Sequence, residues 1–183
     1  PLLDYHANEW EVKSRFEQVF YYKTIKLKYG INAEYDRYNV KHWSIVASMN
    51  NIDTISYSGI LSFIRYGGFF SASKRLLNEN LLLSIGLRSD ASTYNSKTNN
   101  PLSQVSPRVG LSYSLNTRLS LNANHGVYYQ LPPYTLLGFM ENNSFYNQST
   151  LEYIKCEQTA VGIEYTNHKD FKFSTEAFHK AYS

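Results

Sequence analysis

Apolar and polar residues alternate through roughly eight stretches of this chain, and the links between them are short and long in turn. Short links fall near Tyr22–Thr24, Ser73–Glu79, Asn116–Thr117 and Asn167–Asp170. Long polar or aromatic links fall at Arg37–Ser56, Asn95–Val105 and Leu131–Tyr153. An antiparallel meander with this rhythm has every short turn on one rim and every long loop on the other. Barrels that span the bacterial outer membrane show that asymmetry. A soluble sandwich has no reason to sort its loops by length.

The run from Arg118 to Gln130 is the clearest strand. Leu119, Leu121, Ala123, Val127 and Tyr129 lie on one face, with Ser120, Asn122, Asn124, Gly126 and Gln130 on the other. A membrane-spanning strand needs about 9–11 residues, and an ordinary globular strand about 5–6, so length favours the membrane. His125 breaks the apolar face, as a residue at the interfacial rim or beside a bulge would. Similar alternation runs through Trp10–Tyr22, Ile25–Asp36, Leu81–Asp90, Arg108–Leu115, Ala160–Tyr165 and Phe171–Lys180. In Ser58–Ala72 two phases compete, Leu61 and Phe63 against Ile60, Ile64, Tyr66 and Phe70. Putting Arg65 on the polar side selects the second set. Gly30, Gly86, Gly110, Gly126 and Gly162 share the polar faces, either because something packs inside the curve or because a concave surface is crowded.

The expected fold is therefore all-β: an antiparallel up-and-down meander of about eight long strands, forming part of a transmembrane β-barrel. Composition agrees. The chain has 17 Tyr and 10 Phe against 2 Met, and tyrosine collects where apolar matter meets water. No run approaches the roughly 20 apolar residues of a spanning helix. A net charge of +3 without a basic block gives no nucleic-acid footprint. The chain opens at Pro1 and stops at Ser183 inside an alternating run, so residues 1–183 are expected to be an internal piece of a longer protein.

Residues SPRVGLSYSLNTRLSLNANHGVYYQLPPY, beginning at Ser106, resemble a signature of TonB-dependent outer-membrane receptors. LLLSIGLRSDASTYN at Leu81–Asn95, AVGIEYTN at Ala160–Asn167 and FSTEAFHKAYS at Phe173–Ser183 are similar to stretches of the same family, and RYGGFFSASKRLLNENL at Arg65–Leu81 is similar to its members from Bacteroidota. The resemblance implies a partial receptor barrel domain over 1–183, lacking the plug domain and the remaining strands. It implies an active importer of a scarce external ligand, driven by TonB. The implied partners are the TonB complex through the plug region, the plug of the same parent chain, outer-membrane lipid and a surface lipoprotein. The expected location is the outer membrane of a Gram-negative bacterium. Two alternatives remain: a passive porin or other large barrel, and a soluble secreted β-sandwich adhesin.

No catalytic motif stands out, so an enzyme is not expected and neither a cofactor nor a metal is implied. His6, His42, His125, His168 and His179 have no paired-ligand spacing, and Cys156 has no activating neighbour in sequence. Loop Leu131–Tyr153 is the best candidate for function, because it carries aromatics that need not face lipid. Tyr134, Phe139, Phe145 and Tyr146 there, with Trp43 in the first long link, are candidates for ligand contact; equally, they pack against neighbouring loops. Arg88, Asp90, Arg108 and Glu164 are candidates for contact with the lumen or a plug, or else are solvated lumen charges. Asn142-Asn143-Ser144 fits a glycosylation pattern but reads here as a polar loop.

Overall fold

The computed structural model describes residues 2–47, 52–167 and 171–183. The centre of the link expected at Asn167–Asp170, together with His168, lies outside the described residues. Strands β1 (Leu3–Tyr22), β2 (Ile25–Ala47), β3 (Ile52–Leu76), β4 (Leu81–Ser92), β5 (Val105–Ser114) and β6 (Leu119–Gln130) follow one another. A one-turn helix α1 (Tyr134–Leu137) and a two-strand ribbon, β7 (Met140–Glu141) with β8 (Ser144–Phe145), occupy the next loop. Strands β9 (Ile154–Thr166) and β10 (Lys172–Tyr182) complete the chain. The main sheet has eight strands in the order β1-β2-β3-β4-β5-β6-β9-β10, all antiparallel to their neighbours, and it curls as half a barrel. Both helical turns, α1 and the 3₁₀ turn Pro101–Gln104, lie in loops.

Registration fixes which residues share a face. Phe20 pairs with Leu27, Leu27 with Ala72, Ala72 with Ile85, Ile85 with Val109 and Val109 with His125. Leu111 and Leu121 lie on this outer face, both 40% exposed, and Ile163 pairs with Leu121 across from β9. The opposite row links Lys28, Ser71, Gly86, Arg108, Gly126 and Gln158. Ile60, Ile64, Tyr66 and Phe70 are the exposed outer set of β3, as the placement of Arg65 requires. A solvent-accessible apolar surface of this extent suits lipid rather than water.

The tight turns lie on one rim. Lys23 adopts φ 54°, and Leu77, Asn78 and Glu79 lie successively at 52°, 53° and 70°. The turn after β5 is held instead by the Asn116 side chain, which accepts from the backbone N–H groups of Arg118 and Leu119 at 2.8 and 3.0 Å. Asn142 and Asn143, with φ 48° and 61°, form the two-residue turn between β7 and β8, a position that tolerates asparagine in left-handed conformation.

One expectation is corrected. Arg37–Ser56 is not a long loop: β2 runs on to Ala47 and β3 starts at Ile52, paired residue for residue. The alternation continues there but its apolar phase inverts. Up to Tyr35 the apolar residues of β2 face outward, whereas Tyr38 and Val40, beyond Asp36, face inward and are buried. Leu61 and Phe63 of β3 do the same. Outward positions at this height are Arg37, Asn39 and Lys41. Beside the inversion Trp10 and Tyr35 meet edge to face at 5.8 Å on the outer surface, where an aromatic girdle belongs. Arg65 pairs with Ser92, the last residue of β4, so β1–β3 stand above the shorter strands as a projecting sheet.

Candidate functional site: the inner wall and the strap upon it

Gln130 ends β6, and the prolines that follow cannot donate to a ladder. Pro133 caps α1, its carbonyl accepting from the N–H groups of Leu136 and Leu137 at 2.9 and 3.1 Å. Tyr134 and Leu137 stand three residues apart, on one side of that turn, and both point down onto the inner wall. Leu137 is 1% exposed, in an apolar nest of Tyr38, Leu61, Phe63 and Tyr94. Tyr94 also donates its hydroxyl to the Leu137 carbonyl at 3.0 Å. Gly138 is required by this approach, since a Cβ there would lie 2.6 Å from the Tyr38 ring. At its far end the same loop is held by Asn95, whose Nδ2 donates to the carbonyls of Gln148 and Leu151, both at 2.8 Å. Lys97 pairs with Glu152 at 2.6 Å. Residues 131–153 thus form a strap fastened at both ends.

Beneath α1 the wall presents a charged cluster. Arg65 donates twice to Asp36, at 2.5 and 2.8 Å, and to Glu34 at 2.9 Å. Lys13 lies 2.7 Å from Glu11 and 2.6 Å from Glu34. The Tyr134 hydroxyl lies 2.6 Å from Glu11 Oε1 and 2.9 Å from Asp36 Oδ1, and its ring stacks on Tyr38 at 5.5 Å. Burial, followed by the hydrogen bonds to Glu11 and Asp36, holds this phenol well above its ordinary pKa. Glu11, Glu34 and Asp36 bring carboxylate oxygens within 4.8 Å of one another, but Arg65 and Lys13 occupy the space a cation would need. The cluster is an ion-pair latch.

The charged candidates lie lower on the wall. Arg88 grips Asp90 with bonds of 2.6 and 2.7 Å, and the Arg108 guanidinium sits 4.4 Å over the Tyr128 ring. A cavity of about 340 Å³ opens between them, lined by Arg65, Arg88, Asp90, Arg108, Gln130 and Tyr153 among others. Glu164 is apart from this group, 3.0 Å from Lys172.

The aromatic candidates divide. Phe139 meets Tyr57 at 5.5 Å and Tyr146 at 5.9 Å, extending a series in which Tyr57 stacks on His42 and His42 meets Tyr5. Tyr146, at the open end, is 60% exposed. Phe145 packs against the buried nest, and Tyr134 is committed to the latch. Trp43 stands opposite Asp4 and Ser56 on the outer face of the projecting sheet, away from the strap. Sequence reasoning did not single out Glu11, Asp36, Arg65, Tyr38, Tyr94 or Leu137. The available signal was the phase inversion at Asp36, where an acidic residue precedes inward-facing Tyr38 and Val40.

Residues 3–183 match the family described as TonB dependent receptor-like, beta-barrel. The chain belongs to that family. Similar solved structures agree on the fold. The copper transporter OprC superposes with a TM-score of 0.69 at 15% identity, over 98% of this chain and 31% of its own. The ferric enterobactin receptor of Pseudomonas aeruginosa gives 0.64 at 18% identity, over 96% and 27%. The ferric preacinetobactin receptor BauA of Acinetobacter baumannii gives 0.56 at 16% identity, over 97% and 29%. This TonB-dependent receptor-like chain therefore spans about 30% of the length of the structures it matches. A comparison with curated protein sequences finds no match.

Proposed function

We propose that residues 1–183 form one sector of the barrel of an outer-membrane receptor that binds a scarce ligand outside the cell and imports it with energy supplied through TonB. The observation that carries this reading is the strap: the β6–β9 loop folds inward and fastens across the inner wall at the rim of long loops. Beside it, the match of residues 3–183 to the TonB dependent receptor-like barrel family supports a receptor over a passive porin. The sandwich alternative requires the outer apolar face to be covered by a second sheet, and no such layer is present among the described residues. The same reading gives the parent chain a plug domain facing Arg88, Asp90 and Arg108, and puts Phe139 and Tyr146 at the ligand entrance.

The test is energised uptake. Cells carrying the parent receptor are grown on limiting copper or limiting ferric siderophore, the cargoes named for the matched structures, with and without TonB. Growth that requires both the receptor and TonB supports the proposal. Receptor-dependent but TonB-independent entry would favour the porin.

A further inference from the structure

We propose that the recess around Phe69 on the inner wall is a seat for a carboxylate side chain of the plug domain, received by Arg108. This rests on the receptor reading above, which supplies the plug. The recess, about 240 Å³, is lined by Arg15, Lys28, Phe69, Gly86, Arg88 and Arg108 among others. Its cations are unequally matched. Arg15 and Lys28 share Glu17 at 2.5 and 2.6 Å, and Arg88 is saturated by Asp90. Arg108 has no carboxylate within 4.0 Å among the described residues. Its side chain is exposed, with the guanidinium carbon 4.4 Å from the centre of the Tyr128 ring. The forked N–H groups of a guanidinium match a carboxylate in bidentate fashion while its face contacts an aromatic ring.

The floor supports the same occupant independently. Gly30 is needed by the wall itself, because a Cβ there would meet the Phe69 ring at 2.7 Å. Gly86 and Gly110 are not: the nearest atoms to a Cβ would be 3.6 and 3.9 Å away. A methyl group would fit at either position, so no contact among the described residues requires glycine there. Gly86, which lines the recess and pairs with Arg108, leaves a shallow floor beside that cation, suited to the close approach of a backbone carrying a short acidic side chain. The recess gathers Arg15, Lys28, Arg88 and Arg108 against Glu17 and Asp90 alone, so a facing carboxylate is its complement in charge.

The test uses the full-length parent receptor in outer-membrane vesicles, with Arg108→Lys supplying an amine at the seat. A water-soluble carbodiimide joins an amine to a carboxylate only where the two are in contact, and the linked peptides are read by mass spectrometry. The expected product is an amide between position 108 and an Asp or Glu of the plug, absent from Arg108→Gln. Barrel assembly of both variants is checked by their resistance to detergent unfolding. Links from position 108 only to barrel carboxylates such as Asp90 or Glu17, or no link with the plug shown in place by protease protection, would overturn the seat. A parent protein without a plug would overturn the receptor reading, and the seat with it.

Discussion

Arg65 holds Asp36 with two hydrogen bonds of 2.5 and 2.8 Å between neighbouring strands, and Asp36 is wholly buried. A carboxylate removed from water in this way depends on its partner, and the strap rests directly above the pair. The inner wall and the loop that covers it are therefore one cooperative unit.

Removing the buried partner should be costly. Asp36→Ala leaves Arg65 with Glu34 as its nearest acid and the Tyr134 hydroxyl with Glu11 as its remaining carboxylate. We expect a loss of about 3 kcal/mol, the lower part of the range for breaking a buried pair, because Arg65 is partly exposed. Urea unfolding of the parent barrel measures it. A change below about 0.5 kcal/mol would make the pair a surface contact.

Leu137→Ala empties the apolar nest. The expected cost is about 2–5 kcal/mol, felt by the strap rather than the barrel. Limited proteolysis should then cut between residues 138 and 150 while β1–β6 remain resistant. Unchanged protection of the strap would show that Leu137 does not anchor it.

The phase of the wall is tested by charge. Leu111→Arg or Leu121→Arg on the outer face should cost about 2–4 kcal/mol near the bilayer midplane. Ser112→Arg, facing inward, should cost much less. Equal penalties would put the leucines in the lumen.

Alkaline pH should release the strap. The native state retains a proton on Tyr134 that the unfolded chain gives up near pH 10. Docking is thus at full strength below about pH 10 and weakens as the pH rises further. Proteolysis of the strap should accelerate over that range in the parent receptor. In Tyr134→Phe the Tyr134 contribution to that rise should vanish, with weaker docking at neutral pH.

The location of the strap has its own readout. Ser149 is exposed within it and free of the left-handed backbone that constrains Asn142 and Asn143. Ser149→Cys should react with a membrane-impermeant thiol reagent on intact cells. Failure to react, in a correctly assembled barrel, would place the loop rim inside.

Most of the wall was legible because a strand records both of its surroundings in alternate residues. Leu119–Gln130 and Leu81–Ser92 reveal face, direction and span, and the sorted links reveal the two rims. The projecting part of β2 was misread because its environment changes at Asp36. Above that height water lies outside and protein inside, so polar Arg37, Asn39 and Lys41 look like a loop. Leu61 and Phe63 confused the phase of β3 for the same reason. The latch was not legible at all, since it joins residues from β1, β2, β3 and a distant loop, and no local pattern marks such a meeting. Tyr134 was noticed for its ring, yet the structure employs its hydroxyl.

The span of chain between Glu11 and Tyr134 is 123 residues. Until Tyr134 and Leu137 arrive, Tyr38, Leu61 and Phe63 stand bare on strands already made. Contacts so far apart in sequence form late and slowly. The strap is therefore the last part of the sector to mature, and the early strands need shelter from aggregation while the later ones are still being added.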